Sequence, residues 1–396
     1  MSNVLILGGD GYLGWPTAMN LSMQGYDVTV ADNYTKRDAC VKLDVATLYP
    51  VPTLVERAKL WYELTGKEIK VAIGNLQDPE MMRGFFNGRV TYAWAINKNF
   101  SGIPETVIHY AEQASQPYSM LNYTYANQTL QNNLLVTNNL MFAMRDYSRD
   151  THMVKLGTMG EYGAPNIDIE EGWLDVEHNG RKQKFLYPRQ GGSVYQVSKV
   201  MDTDLLWLGV RMWGLKVTDL MQGAVYGIET EESKIDSRLN TMFTYDEVFG
   251  TIINRFITQA VAGHPLTVYG SGGQMRGMLN IQDTLQCVSA SVNTPAKNGE
   301  LRIFNQIMEK FSISELAEMT KKVGDSLGYN VEITKIPNPR KEAENHYFNP
   351  KYQKLLDLGV KPHYLTDEVM SRMFKIVNQY KNNIRDDILF KGIIKW

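Results

Sequence analysis

The sequence predicts an α/β protein, a doubly wound parallel sheet (Rossmann) with a smaller C-terminal substrate-binding α/β lobe. Two observations carry this. A short, wholly apolar run at residues 4–7 ends in Gly8-Gly9, passes into a helical pattern and reaches a second strand ending at Asp32. Strand and helix patterns then keep alternating as far as residue 221. Continuous apolar runs suit strands buried on both faces, and parallel neighbours need a helical crossover.

Taken in order, residues 12–24 read as a helix, with Leu13, Ala18, Leu21 and Met23 at helical spacing, and Asp27–Asp32 as a strand. Further strands are expected at 69–74, 106–111, 152–159 and 216–221, with helices near 122–146 and 195–213. The link 33–68 is long for such a fold, and 54–64 within it has a helical pattern. After Gly223 the pattern is mixed and punctuated by Gly and Pro at 263–265, 270–273 and 337–339. The expected division is a sheet domain of 1–222, with about 276–296, and a second lobe of 223–275 with 297–396.

Composition removes several function classes. The 396 residues carry 41 Lys+Arg against 43 Asp+Glu, so no excess of positive charge points to nucleic acid or anionic lipid. No apolar stretch has the length of a membrane span. Cys40 and Cys287 cannot build a disulfide framework. The first residues show neither a signal-peptide nor a transit pattern, so a cytoplasmic location is expected. The six histidines are scattered without H-E-x-x-H or C-x-x-C, and no metal is expected.

Glycines 8, 11 and 14 lie between a strand and a helix. There they allow a tight turn, close approach of a pyrophosphate and tight helix–strand packing, with the phosphate at the helix N-terminus. Asp32 ends the second strand. Its carboxylate can bind both ribose hydroxyls and would repel a 2′-phosphate, which favours NAD over NADP. Lys36 and Arg37 stand nearby as groups that could tolerate a phosphate.

Tyr195 and Lys199 are four apart on a predicted helix and share one face. An adjacent ammonium lowers a phenol's pKa and makes it a base. Tyr347 and Lys351 repeat the spacing. Thr158 separates the two pairs: it ends a strand that should reach the binding crevice, where its hydroxyl can orient a substrate hydroxyl beside Tyr195. Glu161, three residues on, is a candidate acid or base.

Together with Gly8-Gly9-Asp10-Gly11-Tyr12, Gly14-Trp15, Pro117-Tyr118-Ser119-Met120, residues 154–163, 165–172, 264–270 and 272–274, Arg276-Gly277 and 337–340, these features resemble the extended short-chain dehydrogenase/reductases that modify nucleotide sugars. Within that family they are most similar to the branch that joins sulfite to UDP-glucose. The resemblance spans essentially the whole chain. It implies tightly bound NAD, transiently reduced, and conversion of UDP-glucose and sulfite, or a sulfite donor, to a 6-sulfonated UDP-sugar for sulfolipid or glycan synthesis. The path would run through 4-keto and 4-keto-5,6-ene sugars. It implies Thr158, Tyr195, Lys199 and Glu161 as catalytic residues. It implies cofactor contacts at Gly8, Gly11, Tyr12, Leu13, Gly14, Asp32, Asn33, Arg37, Asn75, Leu76, Asn133, Tyr195, Lys199 and Gln222. Sugar-nucleotide contacts are implied at Gln113, Thr158, Gln222, Val225, Gln274, Arg276 and Arg340. Ala114 stands where the plant-like pattern has Arg, Gln196 where it has His after the tyrosine, and Asn75 where it has Asp. Residues 122–146 and 195–213 would form the interface of a homodimer, with Leu130, Leu134, Leu205 and Leu208 as candidates on it. The alternatives are another NAD-dependent UDP-hexose 4-epimerase or 4,6-dehydratase, and a binding protein without catalysis.

Overall fold

A computed structural model describes residues 2–396. Its main sheet has seven strands: β1 (Asn3–Leu7), β2 (Asp27–Asp32), β3 (Ile69–Ile73), β4 (Thr106–His109), β5 (His152–Thr158), β6 (Lys216–Gln222) and β7 (Leu301–Gln306). They run parallel in the order β7-β6-β5-β4-β1-β2-β3. The order reverses between β1 and β4, so their carboxyl ends open a crevice, the usual ligand site of such sheets.

Side-chain alternation explains why the strands read as continuous apolar runs. Val4, Ile6, Val28, Val30, Ile108 and Val154 join the core on one face. Leu5, Leu7, Ala31, Val107, Met153 and Val217 join the core on the other. Helices cover both faces: α1 (Gly14–Met23), α2 (Thr35–Lys42), α3 (Leu54–Thr65), α4 (Tyr123–Tyr147) and α5 (Val194–Trp213) are those that shape the site. α3 begins in a capping box, Thr53 with Glu56, and ends on Gly66 at φ 69°. α5 begins at Ser193, whose hydroxyl accepts from the Gln196 amide, and ends on Gly214 at φ 71°.

The second lobe has its own core, in which Phe243, Phe256, Leu266, Val268, Met278, Leu316 and Phe374 meet. Cys40, Val45, Leu48 and Tyr49, from the long link after β2, are buried in that same core. The link therefore ties the edge of the sheet to the second lobe.

The observed layout moves part of the expected division. Leu301–Gln306 pairs with β6 as the sheet's edge strand, because its alternate residues Leu301 and Ile303 complete the sheet core. Met275–Asn280, by contrast, joins a small sheet between Ala224–Tyr226 and Glu309–Ser312. Elements also lie where none was expected, among them α2, the helices Pro79–Asn87 and Gln116–Met120, and a two-stranded antiparallel ribbon, Trp173–His178 with Arg181–Leu186. Among the described residues no helix is long and apolar enough to cross a membrane.

The first turn of α1 packs directly on the turn that follows β1. A Cβ on Gly14 would stand 2.0 Å from the Gly8 carbonyl oxygen, a backbone atom that cannot swing aside as a side chain can. Gly14→Ala should therefore lower stability by about 3 kcal/mol, read as a fall in the urea midpoint. An unchanged midpoint would show that the loop and helix can move apart.

Candidate active site

The crevice between β1 and β4 opens into one cleft of about 970 Å³ shared by both lobes. Of the residues singled out in the sequence, Gly8, Gly11, Tyr12, Leu13, Gly14, Asp32, Asn33, Leu76, Gln113, Thr158, Tyr195, Gln222, Val225, Gln274, Arg276 and Arg340 line it. Arg37, Asn75, Asn133, Glu161 and Lys199 do not.

Gly8 turns the chain at φ 88°, with its amide donating to the Ala31 carbonyl at 2.8 Å. Asp32 accepts from the Asp10 amide at 2.8 Å and the Tyr34 amide at 2.7 Å. Burial, with the Asp10 carboxylate close by, pushes its acid up to about 6 against those donors. The loop is anchored by its own aspartate. Asp10 accepts from Arg37 and from the fully buried Arg57, each at 2.6 Å. Arg37 also donates to the Val51 and Pro52 carbonyls, so its fork is spent on the loop and not on a ligand. Lys36 lines the cleft instead, half-buried with its ammonium over the Phe249 ring, and desolvation brings that ammonium down to about 8. Asn75 accepts the Gln77 amide. Asn133 is buried and clamps the Gln113 backbone and the Ser198 hydroxyl.

Thr158 closes β5, and its hydroxyl accepts the Gly160 amide. Tyr195, in the first turn of α5, lies beside it. Burial, with the Glu112 and Glu161 carboxylates, pushes its phenol well above the ordinary range, while Lys155 and Thr158 pull it down. A lowered phenol, expected from Lys199, is thus not met in the protein alone. Burial is the largest cause, and next to it comes Glu112, a residue the sequence did not single out. It follows β4 into the cleft and takes the Lys199 ammonium as its partner. The other spaced pair has a structural use: Tyr347 donates to Asp168 and Lys351 to Glu170, latching the two lobes together.

Glu161 has left the cleft wall altogether. Its side chain is fully buried, with Oε1 accepting the Thr158 amide at 3.2 Å and lying 3.5 Å from Lys155 Nζ, and Oε2 lying 3.4 Å from Arg189 Nη1. Lys155 also donates to the Lys199 carbonyl, the Thr203 hydroxyl and Asp219. Burial raises the Glu161 acid against the pull of Lys155 and Arg189. Glu161 thus braces the Thr158 backbone and does not line the cleft.

At the opposite end of the cleft cations gather. Arg340 lies half-buried over Tyr269 and Trp396, its Nε buried without a partner. Arg255, also missed in the sequence, lies over the same tyrosine. Arg276 pairs with Glu342 at 2.7 Å. A diphosphate fits such forks, which bind oxygens bidentately. Gln113 spends its amide on the Ser115 turn, and Gln222 reaches toward Thr284 and Gln306.

A family model described as "NAD dependent epimerase/dehydratase family" matches residues 4–305, and the chain belongs to that family. It is 46% identical over 96% of its length, and 76% of the relative's, to a chloroplastic UDP-sulfoquinovose synthase of Spinacia oleracea. It is 39% identical over 99% of its length, and 97% of the relative's, to a UDP-sulfoquinovose synthase of Sulfolobus acidocaldarius. Its fold matches a UDP-glucose 4-epimerase from Bifidobacterium longum, solved with NAD+ and UDP, at TM-score 0.69 and 19% identity over 96% and 99% of the two chains.

The residues present fit NAD. A Cβ at Gly8 would stand 2.6 Å from the Tyr110 backbone, so this turn admits only glycine, and Gly8, Gly11 and Asp32 line the cleft where they would take a phosphate and a ribose. Glu161→Ala should cost about 3 kcal/mol by leaving two buried cations short of a partner, and should slow every chemical step alike. Thermal unfolding and single-turnover rates check this. Normal stability with loss of only the later steps would return Glu161 to acid–base duty.

Proposed function

We propose that this chain converts UDP-glucose and sulfite to UDP-sulfoquinovose, with NAD held tightly and regenerated in each turnover. The observation that carries the reading is near full-length identity of 46% and 39% to two UDP-sulfoquinovose synthases. The convergence of Thr158 and Tyr195 on the crevice supports it. When bound, NAD supplies a reversible hydride acceptor for the sugar's C4.

The chain's own residues manage position and protons. Arg255, Arg276 and Arg340 hold the diphosphate, which brings the hexose to Thr158 and Tyr195. Thr158 orients O4 and Tyr195 takes its proton. The resulting C4 ketone makes the C5 hydrogen acidic. The proton on Tyr195 leaves with the C6 hydroxyl as water, and the C5 proton replaces it on Tyr195. Hydrogen sulfite then adds through sulfur to C6, its proton going to C5. Reduction at C4 returns the tyrosine's proton to O4. One sugar and one hydrogen sulfite give one sulfonated sugar and one water. Gln196 lines the cleft but carries no proton to exchange, and Glu161 is out of reach, so Tyr195 serves both ends of the sequence.

We assign a homodimer to the outer faces of α4 and α5. Leu135 and Phe142 on α4, and Val197, Met201, Leu208 and Met212 on α5, are exposed, and the α5 four recur on one side of the helix. Two such faces related by a two-fold would bury each other.

The reading is tested by mass spectrometry of the product from UDP-glucose plus sulfite. A UDP-hexose isomer or a 4-keto-6-deoxy sugar formed without sulfite would favour the epimerase or dehydratase alternative. Tyr195→Phe should cut reduction of bound NAD by UDP-glucose at least ~10²-fold; parent-like absorbance growth would remove Tyr195 from the chemistry. The purified protein should release NAD in acid, whereas NADP alone would contradict the role of Asp32. Light scattering should give twice the mass of one chain, and a monomer at micromolar concentration would refute the dimer.

A further inference from the structure

Glu112 is a buried carboxylate at the crevice for which the mechanism above has no task. It follows β4 at the point where strand order reverses, and its side chain is 4% exposed. One oxygen takes the Lys199 ammonium. The other has no hydrogen-bond donor and lies 3.5 Å from His109 Nε2. His109 shares that nitrogen with the Thr137 hydroxyl at 3.1 Å, and burial brings its pKa down to about 4, so the ring is neutral. We propose that Glu112 is the counter-ion of the catalytic pair, a positioning residue that fixes Lys199 and sets how firmly Tyr195 holds the proton it takes from the sugar.

The argument is one of charge in a place without water. A lysine four residues from a tyrosine eases ionisation of the phenol only while its charge is uncompensated. Here Glu112 compensates it. Burial raises the Glu112 acid, but the Lys199 ammonium above all, with Lys155, outweighs burial and keeps it ionised. The ionisable groups around it are His109 on β4, Lys155 on β5, Glu161 beyond that strand, and Lys199 and Asp202 on α5. Lys155 is matched by Asp219 and Glu161, and burial raises the Asp202 acid far above its usual range. Glu112 is thus the carboxylate that offsets Lys199. In the proposed reaction, on which this inference rests, Tyr195 takes a proton twice, from O4 and then from C5, and holds the second through sulfite addition before giving it to O4. A stronger phenolate base suits that task.

The test uses the holoenzyme with its bound NAD, as parent, Glu112→Asp and Glu112→Gln. The near-ultraviolet tyrosinate band, taken as the difference from Tyr195→Phe, is titrated, and NADH absorbance after mixing with UDP-glucose is followed across pH. Glu112 raises the phenol, so its loss lowers it. In Glu112→Gln both midpoints should move down by about one pH unit, making hydride transfer faster than in the parent at low pH. Glu112→Asp, with the charge one methylene further back, should fall between. If the Gln variant does not fold, the Asp variant decides by the same sign. Midpoints equal to the parent's, or moving up, would overturn the proposal, even if rates fell. If UDP-glucose produces no NADH in the parent, the sugar assignment fails, while the tyrosinate titration still judges Glu112.

Discussion

The reversal of strand order between β1 and β4 is the constraint from which the site follows. Two neighbouring strands whose helices leave in opposite directions must part at their carboxyl ends. What each strand carries at that end is then brought together: the glycine turn after β1, Glu112 after β4, Thr158 on β5 and Gln222 on β6. The second lobe closes the opening with Arg255, Arg276 and Arg340. A cofactor and a sugar nucleotide are thereby offered opposite walls of one cleft, with Tyr195 at their junction.

Behind the cleft lies a second constraint, a set of charges buried away from water. Lys155, Lys199 and Arg189 are set against Glu112, Glu161 and Asp219. Buried ions cost stability unless paired, and pairing fixes geometry. Lys155 bridges the end of β5 to the Lys199 carbonyl in α5. The hydroxyl of Thr158 and the phenol of Tyr195 thus sit on elements joined by one lysine. Asp10 does similar work for the glycine loop, tying it through Arg37 and Arg57 to α2 and α3.

Much of this was legible in the residues. Continuous apolar strands and the loop at 8–14 defined the sheet domain, because burial on both faces leaves no polar alternation to confuse the pattern. Thr158 and Tyr195 were legible because one ends a strand and the other opens a helix. Glu161 was misread: a carboxylate three residues past a catalytic threonine looks solvated, and its burial depends on Lys155 and Arg189 from other elements. The visible signal was Lys155 itself, a lone charge inside an apolar strand. Arg37 was misread for the same reason, since its partner Asp10 lies across the loop. The ribbon Trp173–Leu186 had a local sign: Asn179-Gly180 has positive φ at both residues, the turn that joins two antiparallel strands. The helix Pro79–Asn87 had one too, an Asp78 cap, Pro79 and a closing Gly88. α2 had none: Val41 is exposed, and Ala39 and Cys40 are buried only by residues distant in sequence, Tyr118 and Val248 for the first and the second lobe's core for the other.

The central claim is that one carbon, C4, is oxidised and restored in place while the sulfonate is built two carbons away. UDP-glucose deuterated at C4, turned over with sulfite in ordinary water, tests this most directly. The account predicts a sulfonated UDP-hexose that keeps the deuterium at C4, because the hydride leaves and returns within one closed site. A sulfonated product carrying hydrogen at C4 would contradict it, as would recovery of the label in the solvent.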